Sequence, residues 1–232
     1  MNNKVIYTAI FGDYDYLEPS KYVPKGFDFI CFTDGNLKSD FWEVRKVLPL
    51  YKDSTRTARK YKILPHRFLQ EYDNSIWIDG NFLIKDDVNI LWDEYMWKNS
   101  LSAYSHMHCF EKRNCIYEEA RMIKYLFEIN KSPNKKPKDD LIIIEKQMKK
   151  YFEKKYPQNN GLISSGILLR KHNDENVKKI MEDWWLELKY GSKRDQLSFN
   201  YVCWMNNFNF EYINDDIREN KYFILNKHNH QK

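Results

Sequence analysis

Three short runs of β-branched and aromatic residues, each cut off by an acid and a glycine, constrain this 232-residue chain more than any other feature. Residues 4–11 (KVIYTAIF) stop at Gly12-Asp13-Tyr14-Asp15, residues 27–33 (FDFICFT) at Asp34-Gly35, and residues 75–78 (SIWI) at Asp79-Gly80-Asn81. This is the composition of buried strands, and the polar residues carry the chain out of a sheet. In open α/β sheets ligands collect in the crevice outside the carboxyl ends of the strands, so an acid delivered there is a candidate ligand. Asp79 and Asn81 offer two hard oxygens to a divalent cation that already holds a diphosphate. Taken alone, the stretch reads first as a strand followed by an Asp-Gly turn, and its flanks reverse that preference.

From residue 54 the apolar period lengthens. Ser54 or Thr55 is the candidate cap of a helix carrying Ala58, Tyr61, Leu64, Phe68 and Leu69, which Pro65-His66 should kink or divide. Arg59 and Lys62, three apart, share a face that meets either phosphate or solvent. Residues 42–48 form a third strand nearer an edge, and residues 101–104 a short one. Asp86 or Asp87 opens a helix through Trp97, residues 113–129 are amphipathic, and residues 139–156 form a lysine-rich helix packing through Leu141, Ile144, Met148 and Phe152. Residues 163–170 read as a strand in which Gly166, after Ser164 and Ser165, permits close backbone or ligand approach. Asn173 or Asp174 caps a helix containing Trp184 and Trp185, Ser192 or Arg194-Asp195 begins another through Met205, and residues 208–213 are a last strand. No Pro/Gly/Ser-rich linker interrupts the series, so residues 1–232 are expected to form one α/β domain, with the charged, proline-broken segment 130–138 (NKSPNKKPK) as a mobile loop.

The net charge of +5 suits an anionic small molecule or an anionic membrane surface and is too small to indicate nucleic-acid binding. Cys31, Cys109, Cys115 and Cys203 lack paired spacing and are expected as free thiols. His106, His108 and Cys109 invite a zinc reading, but no second ligand pair follows. No run approaches the roughly twenty apolar residues of a membrane span, and no signal-peptide layout precedes the first strand, which leads to the expectation of a cytoplasmic protein.

The ordered set TAIFGDYD at 8–15, RTARKYKILPH at 56–66, SIWIDGN at 75–81, CIYEEA at 115–120, GLISSGILLRKHN at 161–173 and RDQLSF at 194–199 carries a resemblance. It resembles the glycosyltransferase-like family of plants and bacteria, with TAxFGxYD, RxxKxxPH, WIDGN and RDQxSF in this order, over about residues 4–204. Through that family it is similar to the GT-A class. The resemblance implies a GT-A-like (Rossmann-like) central mixed sheet flanked by helices, with a nucleotide-sugar in the crevice. Thr8, Ala9 and Phe11 would line the nucleoside pocket, Asp34 would lie near the base or ribose, and Arg59 and Lys62 near the donor. Asp79-Gly80-Asn81 occupies the position of the metal-binding DxD, with asparagine replacing the second acid; Mn²⁺ or Mg²⁺ would be held by Asp79, Asn81 and a tail histidine, His228 or His230. Residues 226–232 would be a flexible tail closing on the donor. Arg194-Asp195-Gln196 is the catalytic segment, in which Asp195 serves as acceptor-side base, as donor-orienting acid, or as a helix cap. His106, Arg113, Gly161, Ser164 and Ser165 would shape the acceptor side.

The implied reaction moves a sugar from a nucleotide-sugar to a glycan or other hydroxyl acceptor, in surface polysaccharide or glycoconjugate synthesis. A lipid-linked acceptor would bring the lysine-rich region 131–155 to the inner face of a membrane. The alternatives are a metal-assisted hydrolase on a related scaffold and a basic, aromatic-rich RNA-binding module.

Overall fold

Strand β1 (Lys4–Ile10) sends Val5, Tyr7 and Ala9 into one apolar cluster and Ile6 and Ile10 into another, so it needs cover on both faces. The computed structural model describes residues 3–129 and 139–228. The other strands are β2 (Phe27–Thr33), β3 (Glu43–Lys46), β4 (Asn74–Ile78), β5 (Phe82–Ile84), β6 (Leu101–Ser105), β7 (Ile163–Lys171), β8 (Glu211–Ile213) and β9 (Phe223–Leu225). Seven of them form one sheet in the order β3-β2-β1-β4-β7-β6-β8, and β5 pairs with β9 in a second, two-stranded sheet. Strands β3, β2, β1 and β4 run parallel, and β7 is antiparallel to both β4 and β6. The main sheet is therefore mixed. The carboxyl ends of β1, β2 and β4 and the start of β7 meet along one rim.

Helices α1 (Ser54–Ile63), α2 (Pro65–Phe68), α4 (Ile116–Ile129), α5 (Leu141–Glu153), α6 (Glu175–Tyr190) and α7 (Gln196–Met205) supply one layer, through Tyr61, Ile116, Tyr151, Trp184 and Phe199 among others. Helix α3 (Val88–Met96) and the small sheet cover the opposite face.

Several local expectations change. Asp53, not Ser54 or Thr55, caps α1, its carboxylate accepting from the Arg56 amide at 3.2 Å. Proline divides the helix as expected, because Pro65 cannot donate to the preceding turn. Asp87, Asp140 and Asp174 cap α3, α5 and α6. In α5 the buried stripe holds Tyr151 and leaves Phe152 62% exposed. Tyr151 buries its ring on Tyr201 and satisfies its hydroxyl with Gln147 and Glu187, at 2.7 and 2.8 Å. The last strand is shorter than residues 208–213, and β5 and β9 were not foreseen. Segment 130–138 lies outside the described residues.

Candidate active site

Strand β4 delivers Asp79 to the rim, where its backbone amide donates to the Gly166 carbonyl at 2.8 Å. Helix α1 lies across the same rim. Its last turn is fixed from below, since the Lys62 carbonyl accepts from the Tyr7 hydroxyl and from Arg170, both at 2.8 Å. The Lys62 side chain, 0% exposed, then reaches Asp195 Oδ2 at 2.7 Å, Ser165 Oγ at 3.2 Å and Asp79 Oδ1 at 3.3 Å. Arg59, one turn earlier, places Nη1 3.2 Å from Asp79 Oδ1 and Nε 3.2 Å from Asp195 Oδ2. The Trp77 indole gives Asp79 Oδ1 a third donor at 2.8 Å. Two cations and two carboxylates thus form a closed quartet.

Asp195 has two functions at once. Its Oδ1 accepts from the Gln196 amide at 3.1 Å and caps α7, while Oδ2 faces the quartet. Burial would raise the pKa of its carboxyl, but Arg59 and Lys62 overcome that and hold it well below the usual carboxylate range. Burial and the adjacent Arg59 charge lower the Lys62 pKa. For Arg59 the two carboxylates outweigh desolvation and raise the pKa. The site is built of fixed charges, and Asp195 is a poor proton acceptor.

Two cavities open onto the quartet. One, of 480 Å³, is walled by Ala9, Phe11, Tyr14, Ser54, Ala58 and Gly80 together with the ends of Lys193 and Arg194. The other, of 560 Å³, lies between α4, the start of β7 and the C-terminal segment, with His106, Arg113, Ser164, Ser165 and Gln196 on its wall. Arg59, Asp79, Arg194 and His228 border both. These four residues form a neck between a chamber on the β1 side and a chamber on the β7 side.

Most of the sequence candidates converge on these walls; Lys62 lies sealed behind them within the quartet, and among the described residues Thr8, Asp34 and Gly161 stand apart. Thr8 is buried within β1 and borders neither chamber. Asp34 accepts the Gly12 amide at 3.0 Å, ties two strand-end loops together and lines neither chamber. Gly161 is held at φ +88°, where a Cβ would collide with the Tyr212 hydroxyl, so its requirement is packing. His106 is buried and its pKa is lowered, chiefly by desolvation; its Nε2 lies 3.3 Å from Arg113, which pairs with Glu119 at 2.7 Å. Ser164 meets the Cys109 thiol, and Gln196 donates to the Ile163 carbonyl at 3.0 Å.

Of the expected tail, residues 226–228 lie against the neck, and residues 229–232 are outside the described residues. The Asn226 amide donates to the Asn81 carbonyl and the Asn81 side-chain amide to the Asn226 carbonyl, both at 2.8 Å. His228 Nδ1 lies 3.0 Å from Asp15 and its ring packs edge-on to Tyr14. His230 lies outside the described residues. Sequence reasoning missed Trp77, Glu119 and Lys193 as parts of the site. For Trp77 the signal was its position two residues before Asp79 on the same side of β4.

A dication at the DxD position needs hard oxygens carrying net negative charge. Here Asp79 Oδ1 already accepts from Trp77 and from two cations. Asn81 is neutral, with its amide nitrogen engaged by Asn226, and His228 turns Nδ1 to Asp15. No trio of His, Cys, Asp or Glu converges as a ligand set among the described residues. Six lysines and arginines against five carboxylates line the two chambers. This donor set does not fit a tightly held divalent ion.

Comparison with known proteins gives this geometry a family. The TOD1/MUCI70 glycosyltransferase-like domain matches residues 1–228. A protein of Arabidopsis thaliana described as the probable hexosyltransferase MUCI70 is 27% identical over 225 residues, covering 85% of this chain and 36% of its own length. The chain thus spans about a third of that relative. The apo-form glycosyltransferase GlyE of Streptococcus pneumoniae TIGR4 superposes with a TM-score of 0.50 at 11% identity, over 91% of this chain and 45% of its own, which shows a shared fold. The galactosyltransferase LgtC, solved with donor and acceptor sugar analogs, gives a TM-score of 0.46 at 15% identity, over 84% and 69% of the two chains. By the span of the family match, this chain belongs to the TOD1/MUCI70 glycosyltransferase-like family.

Proposed function

We propose that this domain transfers a glycosyl group from a nucleotide-diphosphate sugar to a hydroxyl acceptor. The observation that carries the reading is the neck: two chambers of 480 and 560 Å³ meet where Arg59 and Arg194 stand beside the carboxylates of Asp79 and Asp195. The nucleoside would occupy the β1-side chamber, between Phe11, Tyr14 and Ala58, and the acceptor the chamber bordered by His106, Arg113 and Ser165. The scissile bond would then lie in the neck.

The chemistry asks for charge stabilisation at fixed positions. The bond from the anomeric carbon to the diphosphate oxygen breaks, and its electron pair stays on the diphosphate, facing the guanidinium groups. The acceptor oxygen bonds to the anomeric carbon and its proton passes to the departing diphosphate oxygen. Asp195 stays ionised throughout and stabilises the positive charge that develops on the sugar ring, in keeping with its ion pairs to Lys62 and Arg59. Each glutamate on the acceptor wall is also paired, Glu119 with Arg113 and Glu111 with Arg218.

The test is incubation with a panel of nucleotide-sugars and hydroxyl acceptors, with products read by mass spectrometry. The proposal expects one donor to yield a glycosylated acceptor and free nucleoside diphosphate. Asp195→Asn should lower the rate by about a hundredfold or more, the scale of a preorganised electrostatic contact. Release of free sugar at the same rate with and without every acceptor would instead indicate a hydrolase.

A further inference from the structure

We infer that Arg59 and Arg194 hold the donor's diphosphate where a DxD acid pair would place a metal ion, so that nucleotide binding needs no divalent cation. This inference rests on the donor-site reading above. On this view Asp79 is an anchor for a guanidinium, not a metal ligand.

The quartet is neutral as it stands, since Asp79 and Asp195 balance Arg59 and Lys62. A dication approaching Asp79 meets two cations already within 3.3 Å of one carboxylate oxygen. An anion meets the opposite situation. The Arg59 side chain is 23% exposed on the walls of both chambers and is fixed from behind by two carboxylates, so little of its freedom is left to lose when a phosphate arrives. Arg194 is 35% exposed at the same neck, and its carboxylate partner, Glu119, is 3.9 Å away, a loose pair that leaves the guanidinium available to a stronger anion. Two forked donors facing a pyrophosphate from two sides can bind it bidentately.

The asparagine at position 81 has its own explanation. Its side-chain amide donates to the Asn226 carbonyl and closes the C-terminal segment over the site. An aspartate at 81 would set a carboxylate against that carbonyl. Position 81 holds the C-terminal segment, a strap across the site, and the counter-charge for the diphosphate comes from Arg59 on α1 and from Arg194 just before the α7 cap.

The experiment is isothermal titration of the purified protein with uridine, guanosine, cytidine and adenosine diphosphates, in EDTA and again in Mn²⁺. The inference expects one nucleotide to bind with Kd values that agree within about threefold between the two buffers. Binding that is tenfold or more tighter in Mn²⁺ would overturn it while leaving the donor reading intact. Binding of no nucleotide in either buffer would overturn both. Two variants sharpen the result. Arg194→Gln, at a half-exposed site that should not disturb folding, is expected to weaken binding about tenfold or more in both buffers, the scale of a charged hydrogen bond. Asp79→Asn should weaken binding by a similar factor in both, because it loosens Arg59; a metal ligand would show its loss in Mn²⁺ alone.

Discussion

Lys62 is fully enclosed, and its ammonium, together with the Arg59 guanidinium, keeps Asp79 and Asp195 from facing each other uncompensated. Lys62→Met fills the same volume but takes from the buried Asp195 carboxylate the nearer of its two cationic partners, leaving Arg59, so a loss of about 3–5 kcal/mol is expected from urea unfolding, with an unchanged denaturant slope. A loss below 1 kcal/mol would contradict the quartet. A second test at this scale concerns His172, whose pKa burial pushes down to about 4 from the ordinary 6.5, with Arg170 and His66 adding to the effect. Between those two values the unfolded chain binds more protons than the folded one, so stability falls on acidification through that window and His172 adds nothing further below it. The contribution amounts to about 3 kcal/mol. His172→Gln, which keeps a donor for the Leu69 carbonyl, should therefore lose less stability than the parent between pH 7 and pH 4.5; equal losses would contradict the assignment. Asp79, Arg59 and Asp195 were legible in the sequence because strand ends and helix starts fix their neighbourhoods. That Lys62 would be sealed, or that Asp34 would turn to Gly12, was not, since both depend on partners between 22 and 133 residues away in the chain.

Helix α1 and the C-terminal segment bring the site together. The helix was readable from its period and from Pro65, but its cap lies one or two residues before Ser54 and Thr55, at Asp53, which accepts the Arg56 amide and also pairs with Lys193 at 2.8 Å, a partner no local pattern announces. Strands β5 and β9 escaped notice for a different reason: three apolar residues have no measurable period, and their pairing spans 140 residues of chain. Their consequence is large. Phe223 packs on Phe82 and Tyr104, and the strand carries Asn226 and His228 to the neck. Phe223→Ala is expected to cost about 3–5 kcal/mol and to weaken nucleotide binding beyond what the lost stability explains, as read by titration at a temperature where the variant is folded. Unchanged affinity in the folded variant would separate the strap from the site. The bulge where Tyr104 pairs with Ser164 after Ala103 pairs with Leu168 is a similar case. It sets Ser165 and Gly166 against the rim, and Gly166 in the sequence was its one visible sign.

For the molecule as a whole, the mixed α/β sheet with its ligand crevice at the strand ends was readable because buried strands and amphipathic helices have different periods. Strand order and the antiparallel setting of β7 were not, since they follow from how the two apolar clusters are covered. All four cysteines are free and buried, three of them, Cys31, Cys109 and Cys203, with thiol pKa values raised by burial. They should react with a thiol reagent such as dithionitrobenzoate only on unfolding; fast modification of the native protein would contradict this packing. In the proposed donor complex an activated sugar bridges the two chambers with its diphosphate in the neck. A crystal structure with a non-hydrolysable nucleotide-sugar analogue tests it directly. Diphosphate oxygens are expected within hydrogen-bonding distance of Arg59 and Arg194, with the sugar ring beside Asp195. An analogue seated elsewhere, for instance along α4 near Tyr125, with the neck empty would contradict it.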